Sequence, residues 1–268
     1  MKFSVVGSQV DSSFSPLLHS WIYQNLNLNH QYNYIKLFKD DVDTIVDKIK
    51  QEDLNGVNIT MPFKRSIISY IDELDSLSRE IGAVNCLVIS NNHIGGYNTD
   101  LFGFEKLIEV NNINLHDKRI LVLGSGGVSR AISLFLRNSS LNFSVFNRDK
   151  QNLNSMLYDL SIEEIPSFNQ FDKTINLNIN MVINCLPPTV NYSTLLKKLL
   201  PHINEFHTIV DINYNPFKKE LNSKHFINGL DMFIFQAIKS NEIWMNKNIL
   251  KDVDYNSLKS YIEGKIKC

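Results

Sequence analysis

The sequence predicts an α/β protein of two domains, and three observations carry that prediction. The apolar run Ile120 to Leu123 is followed at once by Gly124, Gly126 and Gly127, and then by an apolar helix pattern through Ala131, Leu134 and Phe135. Ahead of it, over residues 1 to about 100, apolar strands alternate with amphipathic helices. From Met232 onward the chain reads as helical, with Phe235, Ile238 and Ile243 at helical spacing. Alternating strand and helix implies a mainly parallel sheet covered on both faces, because parallel neighbours need a crossover and helices supply it. The strand–glycine–helix sequence reads as the opening of a Rossmann-type dinucleotide-binding domain. The expected boundaries lie near residues 100 and 230, which sets off 1–100, 101–230 and 231–268.

Each element has its own warrant. In the first part, Lys2 to Val6 reads as a strand, Pro16 to Leu26 as a helix and Tyr32 to Leu37 as a strand. Asp41 to Gln51 places Val42, Ile45, Val46 and Ile49 on one helical face. Gly56 to Met61 is a strand, Ser66 to Ile71 a helical turn, Ala83 to Ser90 a strand and Asp100 to Asn111 a helix. Beyond the glycine loop, strands are expected at Phe143 to Arg148, Met181 to Cys185 and Thr208 to Ile212.

Composition narrows the class. The chain has 268 residues, 43% hydrophobic and 21% charged, with a formal net charge of −1. That balance gives no electrostatic footprint for nucleic acid or an anionic membrane. Cys86, Cys185 and Cys268 are far apart, without metal-ligand spacing, and read as reduced thiols. No N-terminal stretch has a signal-peptide pattern, and no apolar run reaches the roughly 18 residues of a membrane span, so a cytoplasmic location without a metal is expected.

At the glycine loop, backbone N–H groups of a helix start can cradle a pyrophosphate, since glycine admits close approach and the helix dipole favours negative charge. Ser129 stands where the third glycine of the fingerprint usually falls. The alternative is a tight βα turn with no ligand. The next strand ends in Asn147 and Arg148, where an NAD site would usually place an acid. A guanidinium suits a 2′-phosphate, which points to NADP, while the adjacent Asp149 points the other way and Lys150 offsets it.

Four further stretches concentrate polar groups at element ends. In Ser12 to Pro16, Pro16 suits the first helical position and Ser15 its N-cap, leaving Ser13 beside a helix N-terminus suited to a small carboxylate. In Asn58 to Lys64, Asn58 and Thr60 share a strand face, and Lys64 follows where a lysine can deliver a proton to a reacting oxygen. Gly82 to Asn85 brings an amide just inside an apolar strand, where it needs partners. Tyr97 to Asp100 ends on a carboxylate that either caps the following helix or orients Lys64. Together they describe a polar, hydroxyl-binding cleft.

These motifs, in this order across essentially the whole chain, resemble the shikimate dehydrogenases. The resemblance rests on Ser13-x-Ser15-Pro16 with His19, Asn58 to Lys64, Gly82 to Asn85, Asn98 to Asp100 and Gly124 to Ala131. It continues through Asn147-Arg148, Asp211 to Pro216 and Gly229 to Ala237. It implies reversible, NADP-dependent reduction of 3-dehydroshikimate to shikimate in aromatic amino acid biosynthesis, by a monomer or homodimer. It implies Lys64 and Asp100 as the catalytic pair, and Ser13, Ser15, Asn58, Thr60, Asn85, Tyr214 and Gln236 around the substrate. It implies Gly124, Ser125, Gly126, Gly127, Val128, Asn147, Arg148, Asp149, Gly229 and Met232 around NADP. Residues 1–100 become a substrate domain completed by the helices of 231–268, and residues 101–230 the NADP domain.

The departures from the family pattern cluster on the cofactor side. Asp149 stands where the family has Thr, Asn152 where it has a basic residue, and Cys185 follows Asn184 in place of a small hydroxyl residue. Elsewhere Ser12, Ser20 and Leu101 replace the usual His, Asn and Gly. Two alternatives follow: an NAD-dependent quinate or shikimate dehydrogenase, motivated by Asp149, and a non-catalytic shikimate-binding paralogue, against which the retention of both Lys64 and Asp100 speaks.

Overall fold

A computed structural model describes residues 1–38, 41–162, 167–168, 179–191, 194–195, 208–214 and 225–266. Pro216 and Cys268, both singled out in the sequence, lie outside them. The chain divides into two compact units, Met1–Gly103 with Ile234–Cys268, and Phe104–Phe233.

The first unit is built on β1 (Lys2–Gly7), α1 (Ser15–Asn25), β2 (Gln31–Lys36), α2 (Thr44–Gln51) and β3 (Gly56–Ile59). A 3₁₀ turn (Ser66–Tyr70), β4 (Glu73–Leu74), α3 (Ser76–Ile81), β5 (Cys86–Ser90) and β6 (His93–Tyr97) follow, and α4 (Asp100–Val110) leads out of the unit. The strand order is β2-β1-β3-β5-β6-β4. The sheet is parallel from β2 through β1 to β3 and antiparallel where β5 meets β3 and β6. The mainly parallel expectation therefore holds for the first strands and gives way at a hairpin that the sequence reading left out. The cause is local: Asn91 and Asn92 both take positive φ, 50° and 61°, and Ser90 pairs with His93 across them. Two consecutive left-handed residues make the tight turn whose twist suits a hairpin, and asparagine tolerates that region.

The core of this unit forms because both sheet faces are covered. Five of the six β1 positions are buried, as an apolar strand between two helical layers should be. Ile45 and Ile49 of α2 are buried against β1 and β3, with Val42 and Val46 packed beside them. The helix itself begins at Thr44, three residues after the expected Asp41.

The second unit carries β7 (Ile120–Leu123), α5 (Gly127–Asn138), β8 (Phe143–Phe146), α6 (Lys150–Asp159), β9 (Ser167–Phe168), β10 (Met181–Asn184), β11 (Thr208–Asp211) and β12 (His225–Asn228). All pairings are parallel, in the order β12-β11-β10-β7-β8-β9. Counting from β7, this is the 3-2-1-4-5-6 order of a dinucleotide-binding sheet, with its reversal between β7 and β10. Every residue of β7, β8 and β10 is buried. α7 (Leu230–Met245) returns the chain to the first unit, and α8 (Tyr255–Ile266) ends there. Trp244 of α7 donates its indole N–H to the Leu87 carbonyl at 2.8 Å and stacks on Phe3 at 4.5 Å, which ties this tail to the first sheet.

Candidate functional site

Topology gathers the polar stretches of the first unit at one end of its sheet. β1 and β3 are parallel, so the loops after Gly7 and after Ile59 leave the same edge. β5 is antiparallel and begins at that edge, and β6 finishes there, with Tyr97 opposite Cys86. Ser13 and Ser15 follow β1, Thr60 and Lys64 follow β3, Asn85 precedes β5, and Asp100 follows β6. The carboxyl ends of parallel strands are where open α/β sheets bind ligands.

There Lys64 Nζ lies 2.6 Å from Asp100 Oδ2, with side-chain exposures of 13% and 6%. A charge-assisted bond of this length, shielded from water, is stronger than a neutral one. Asp100 is the first residue of α4 and does not cap it with its side chain; Asn98 Oδ1 instead accepts the Asp100 backbone N–H at 3.0 Å. The second carboxylate oxygen accepts from Asn85 Nδ2 at 2.9 Å. Asn85 also donates to Thr99 Oγ1 at 2.9 Å, and its own oxygen accepts the Thr99 backbone N–H at 2.7 Å. The Asn85 amide thus fixes the Asp100 carboxylate from the side opposite Lys64. It sits one residue before β5, whose first residue is Cys86 and not the expected Ala83.

Asn58 is bonded within the protein on every side. It accepts from the Tyr32 hydroxyl at 2.8 Å and donates to the Asn85 carbonyl at 3.1 Å and to Ser240 Oγ at 2.9 Å. Ser240 in turn lies 3.3 Å from Thr99 Oγ1 and donates to the Gln236 carbonyl at 2.9 Å. Thr99 Oγ1 reaches Gln236 Oε1 at 3.5 Å. Thr99 stands in the Asn98 to Asp100 motif without an expected role of its own, and Ser240 is a residue that the sequence analysis does not name. Ser240 was within reach of it, being four positions after Gln236 and so on the same helix face. Thr60 closes the end of β3, its backbone N–H bonded to the Val6 carbonyl.

At the start of α1 the serines exchange roles relative to expectation. Phe14 holds the N-cap position and Ser15 is the first helical residue, so Ser15 is no cap. Nor does Ser13 stand alone: its Oγ accepts the Ser15 backbone N–H at 3.2 Å and bonds Ser15 Oγ at 3.0 Å. The two hydroxyls therefore form one polar unit beside a helix N-terminus that has no side-chain cap. Deeper in α1, His19 is fully buried, stacked on Tyr32 at 3.9 Å and bonded through Nδ1 to Asn241 Nδ2 at 2.9 Å. Burial lowers its pKa to about 3, so the imidazole is neutral. Burial likewise raises the Cys86 thiol to about 12 and keeps it protonated.

In the second unit the site is made of backbone. Gly124 has φ of +109°, a conformation that side chains resist, and lets the loop leave β7. Gly126 takes the N-cap position of α5 with no side-chain cap bond, and a Cβ built on it meets nothing within 4 Å. Ser125 is buried, and Gly127 and Val128 open the helix with their N–H groups ahead of its first internal bond, Arg130 N–H to the Gly126 carbonyl. Uncapped N–H groups beside open space fit a pyrophosphate. Across the strand reversal, Cys185 donates its backbone N–H to the Leu123 carbonyl, and Asp211 Oδ1 accepts from Asn184 and Asn213 at 3.0 and 2.8 Å. Those bonds fix the loop beside the glycines.

The remaining candidates are spread around that sheet. Asn147 donates to the Asp149 carbonyl at 3.0 Å, Arg148 is exposed, and Asp149 caps α6. Gly229 has its backbone against Ile212, where a Cβ would come within 1.8 Å of the carbonyl oxygen, so only glycine fits. Met232 is buried, and Tyr214 stacks on Phe233 at 4.2 Å. No group of metal-ligating side chains occurs among the described residues, and no helix among them is long and apolar enough to cross a membrane.

The chain is similar to shikimate dehydrogenases in sequence and in structure. The family pattern for the shikimate dehydrogenase substrate binding domain matches residues 5–87. A shikimate dehydrogenase (NADP(+)) of Staphylococcus aureus is 33% identical, the match covering 100% of this chain and 99% of the relative. Shikimate dehydrogenase 1 of Peptoclostridium difficile superposes with a TM-score of 0.79 at 28% identity, covering 99% of this chain and 97% of that one. A shikimate dehydrogenase in complex with NADP+ gives 0.81 at 26% identity, covering 99% and 95%.

Proposed function

Because the chain belongs to the shikimate dehydrogenase family, we propose that it catalyses the reversible, NADP-dependent reduction of 3-dehydroshikimate to shikimate, a step in aromatic amino acid biosynthesis. The observation that carries this reading is the Lys64–Asp100 pair at 2.6 Å, braced by Asn85 at the ligand-binding edge of the first sheet.

NADPH, which the backbone of Gly124 to Val128 would hold, would supply the hydride. As the ketone carbon accepts it, negative charge grows on the carbonyl oxygen, and Lys64 Nζ gives that oxygen a proton. The ammonium has three N–H bonds; Asp100 Oδ2 takes one, which leaves two for the reacting oxygen and its neighbour. Asp100 keeps Nζ in place throughout, and Asn85 keeps Asp100 in place. In the reverse direction Lys64 takes the hydroxyl proton back.

The substrate carboxylate is assigned to Ser13 and Ser15. Their hydroxyls lie 3.0 Å apart at a helix start with no side-chain cap, so both can turn to donate to one carboxylate. Thr60 and Gln236 are assigned to the hydroxyl-bearing side of the ring, and Asn58 to the wall behind it. NADP is assigned to the second unit, with its pyrophosphate on Gly124 to Val128, its adenosine phosphate at Asn147 to Asp149, and Gly229 and Met232 beside the nicotinamide half. The enzyme is placed in the cytoplasm as a monomer or homodimer, which sedimentation distinguishes.

The test is oxidation of shikimate by the purified protein with NADP+, followed by the absorbance of reduced nicotinamide. Turnover that disappears in Lys64→Ala supports the reading. Folded protein that binds shikimate and does not turn it over overturns it.

A further inference from the structure

Resting on the cofactor assignment above, we infer that Asn152 is a positioning residue for cofactor choice, holding Asp149 off Arg148 so that Arg148 stays available to the 2′-phosphate of NADP. The strand after a glycine loop carries opposite chemistry for the two cofactors: an acid accepts the 2′-hydroxyl of NAD and repels a phosphate, whereas an arginine takes the phosphate. This chain has both side by side, Arg148 and Asp149, directly after β8. An adjacent carboxylate that paired with the guanidinium would cancel the charge the phosphate needs.

The structure shows where that carboxylate goes. Asp149 is the N-cap of α6, with Oδ1 accepting the Asn152 backbone N–H at 3.1 Å and Oδ2 accepting Asn152 Nδ2 at 2.7 Å. Asn147 Nδ2 donates to the Asp149 carbonyl at 3.0 Å and fixes the turn before the helix. Both carboxylate oxygens are therefore committed to the helix, whose positive end offsets their charge. Arg148 is exposed and makes no hydrogen bond or ion pair among the described residues. Asn152 occupies the third helical position, where a Gln or Glu usually reaches back to the cap. Here its amide takes the cap's own carboxylate instead. Removing that amide frees Oδ2 one residue from Arg148, and an Arg–Asp contact then competes with the phosphate.

The experiment is calorimetric titration of the full chain with NADP+ and with NAD+, in the absence of shikimate, for wild type, Asn152→Ala, Asn152→Gln, and Asp149→Ser combined with Asn152→Ala. Exposed ion pairs are weak, so Asn152→Ala is expected to weaken NADP+ about two- to fivefold and leave NAD+ unchanged. Asn152→Gln keeps an amide at the capping position and retains the wild-type ratio. The double variant removes the released acid, keeps a capping oxygen and restores NADP+ affinity. An equal loss for both dinucleotides in Asn152→Ala, or a ratio that does not move, overturns the inference and leaves the cofactor assignment standing. Wild-type protein that binds shikimate and neither dinucleotide overturns both.

Discussion

The polar cluster of the first unit and the glycine loop of the second are built on opposite principles. Around Lys64 the work is done by side chains that are already bonded to one another: Asp100 to Asn85, Asn85 to Thr99, Thr99 to Ser240, and Ser240 to Asn58. At the glycine loop the work falls to backbone N–H groups that no side chain caps, beside a position where even a Cβ would touch nothing. The difference follows from what each has to do. A proton donor must hold one atom in one place, and buried polar groups achieve that only when every neighbour is satisfied. A pyrophosphate brings its own charge and acceptors, so its site need only present donors and space.

Breaking the polar cluster should have the largest effect. Lys64→Ala removes the proposed proton donor and leaves Asp100 in place; kcat is expected to fall by about 10²- to 10⁴-fold, the usual scale of general acid catalysis, while KM for shikimate changes much less. Steady-state kinetics checks this, and a loss confined to KM would assign Lys64 to binding alone. Ser13→Ala tests the same unit at the start of α1. A hydrogen bond to a charged group contributes about 1.5–3 kcal/mol, so KM for shikimate should rise about 10- to 100-fold with a smaller fall in kcat. An unchanged KM would take Ser13 out of the carboxylate site.

The glycine loop should respond the other way, through cofactor and not through chemistry. Gly126→Ala adds a methyl group into open space, so the fold tolerates it. That methyl occupies the ground assigned to the pyrophosphate, and Kd for NADP+ is expected to rise about tenfold by titration, with Tm shifted by only about 2–4 °C for the changed cap. A large drop in Tm with little change in Kd would show that Gly126 serves packing. Gly229→Ala makes the contrast explicit, since its Cβ would meet the Ile212 carbonyl and the damage should be to folding.

The same contrast explains how much could be read from the sequence. Strands β7, β8, β10 and β11 are mainly buried and mainly apolar, and the glycines that follow β7 announce their own turn, so these four strands are legible from local pattern, whereas the short β9 and the half-exposed β12 carry no such signal and are not among the expected strands. In the first unit the strand-end positions of Lys64 and Asp100 are equally local. Their neighbours are not. Ser240 comes to Asn58 from 182 residues away, and no window of sequence contains both. β6 was obscured by Gly95 and Gly96 in a five-residue strand, although Asn91-Asn92 before it is a hairpin signal. The cap of α1 moved by one residue because Ser13 and Ser15 bond each other, a choice that a capping rule applied residue by residue does not anticipate. Asp149 shows the reverse case: read alone it is an acid beside a proposed phosphate site, and the bond of its Oδ1 to the Asn152 backbone N–H makes it a helix cap.

The remaining expected effect concerns what stands behind the side-chain network. Tyr32, which bonds Asn58, lies stacked on His19, and His19 is neutral because burial lowers its pKa to about 3. In the unfolded chain the same imidazole takes a proton near its ordinary pKa of about 6.5. Below that pH the unfolded state binds a proton that the folded state refuses, so this contribution to stability is complete above pH 6.5 and declines as the pH falls toward 3. Its slope is at most about 1.4 kcal/mol per pH unit. Denaturant unfolding of wild type and His19→Gln between pH 7 and pH 4 measures it. The variant should start less stable at pH 7, having lost the stacked ring, and then lose stability with acid more slowly than wild type. Parallel pH profiles would mean that His19 is protonated in the folded protein. The Asn58 side of the network would then rest on a charged ring.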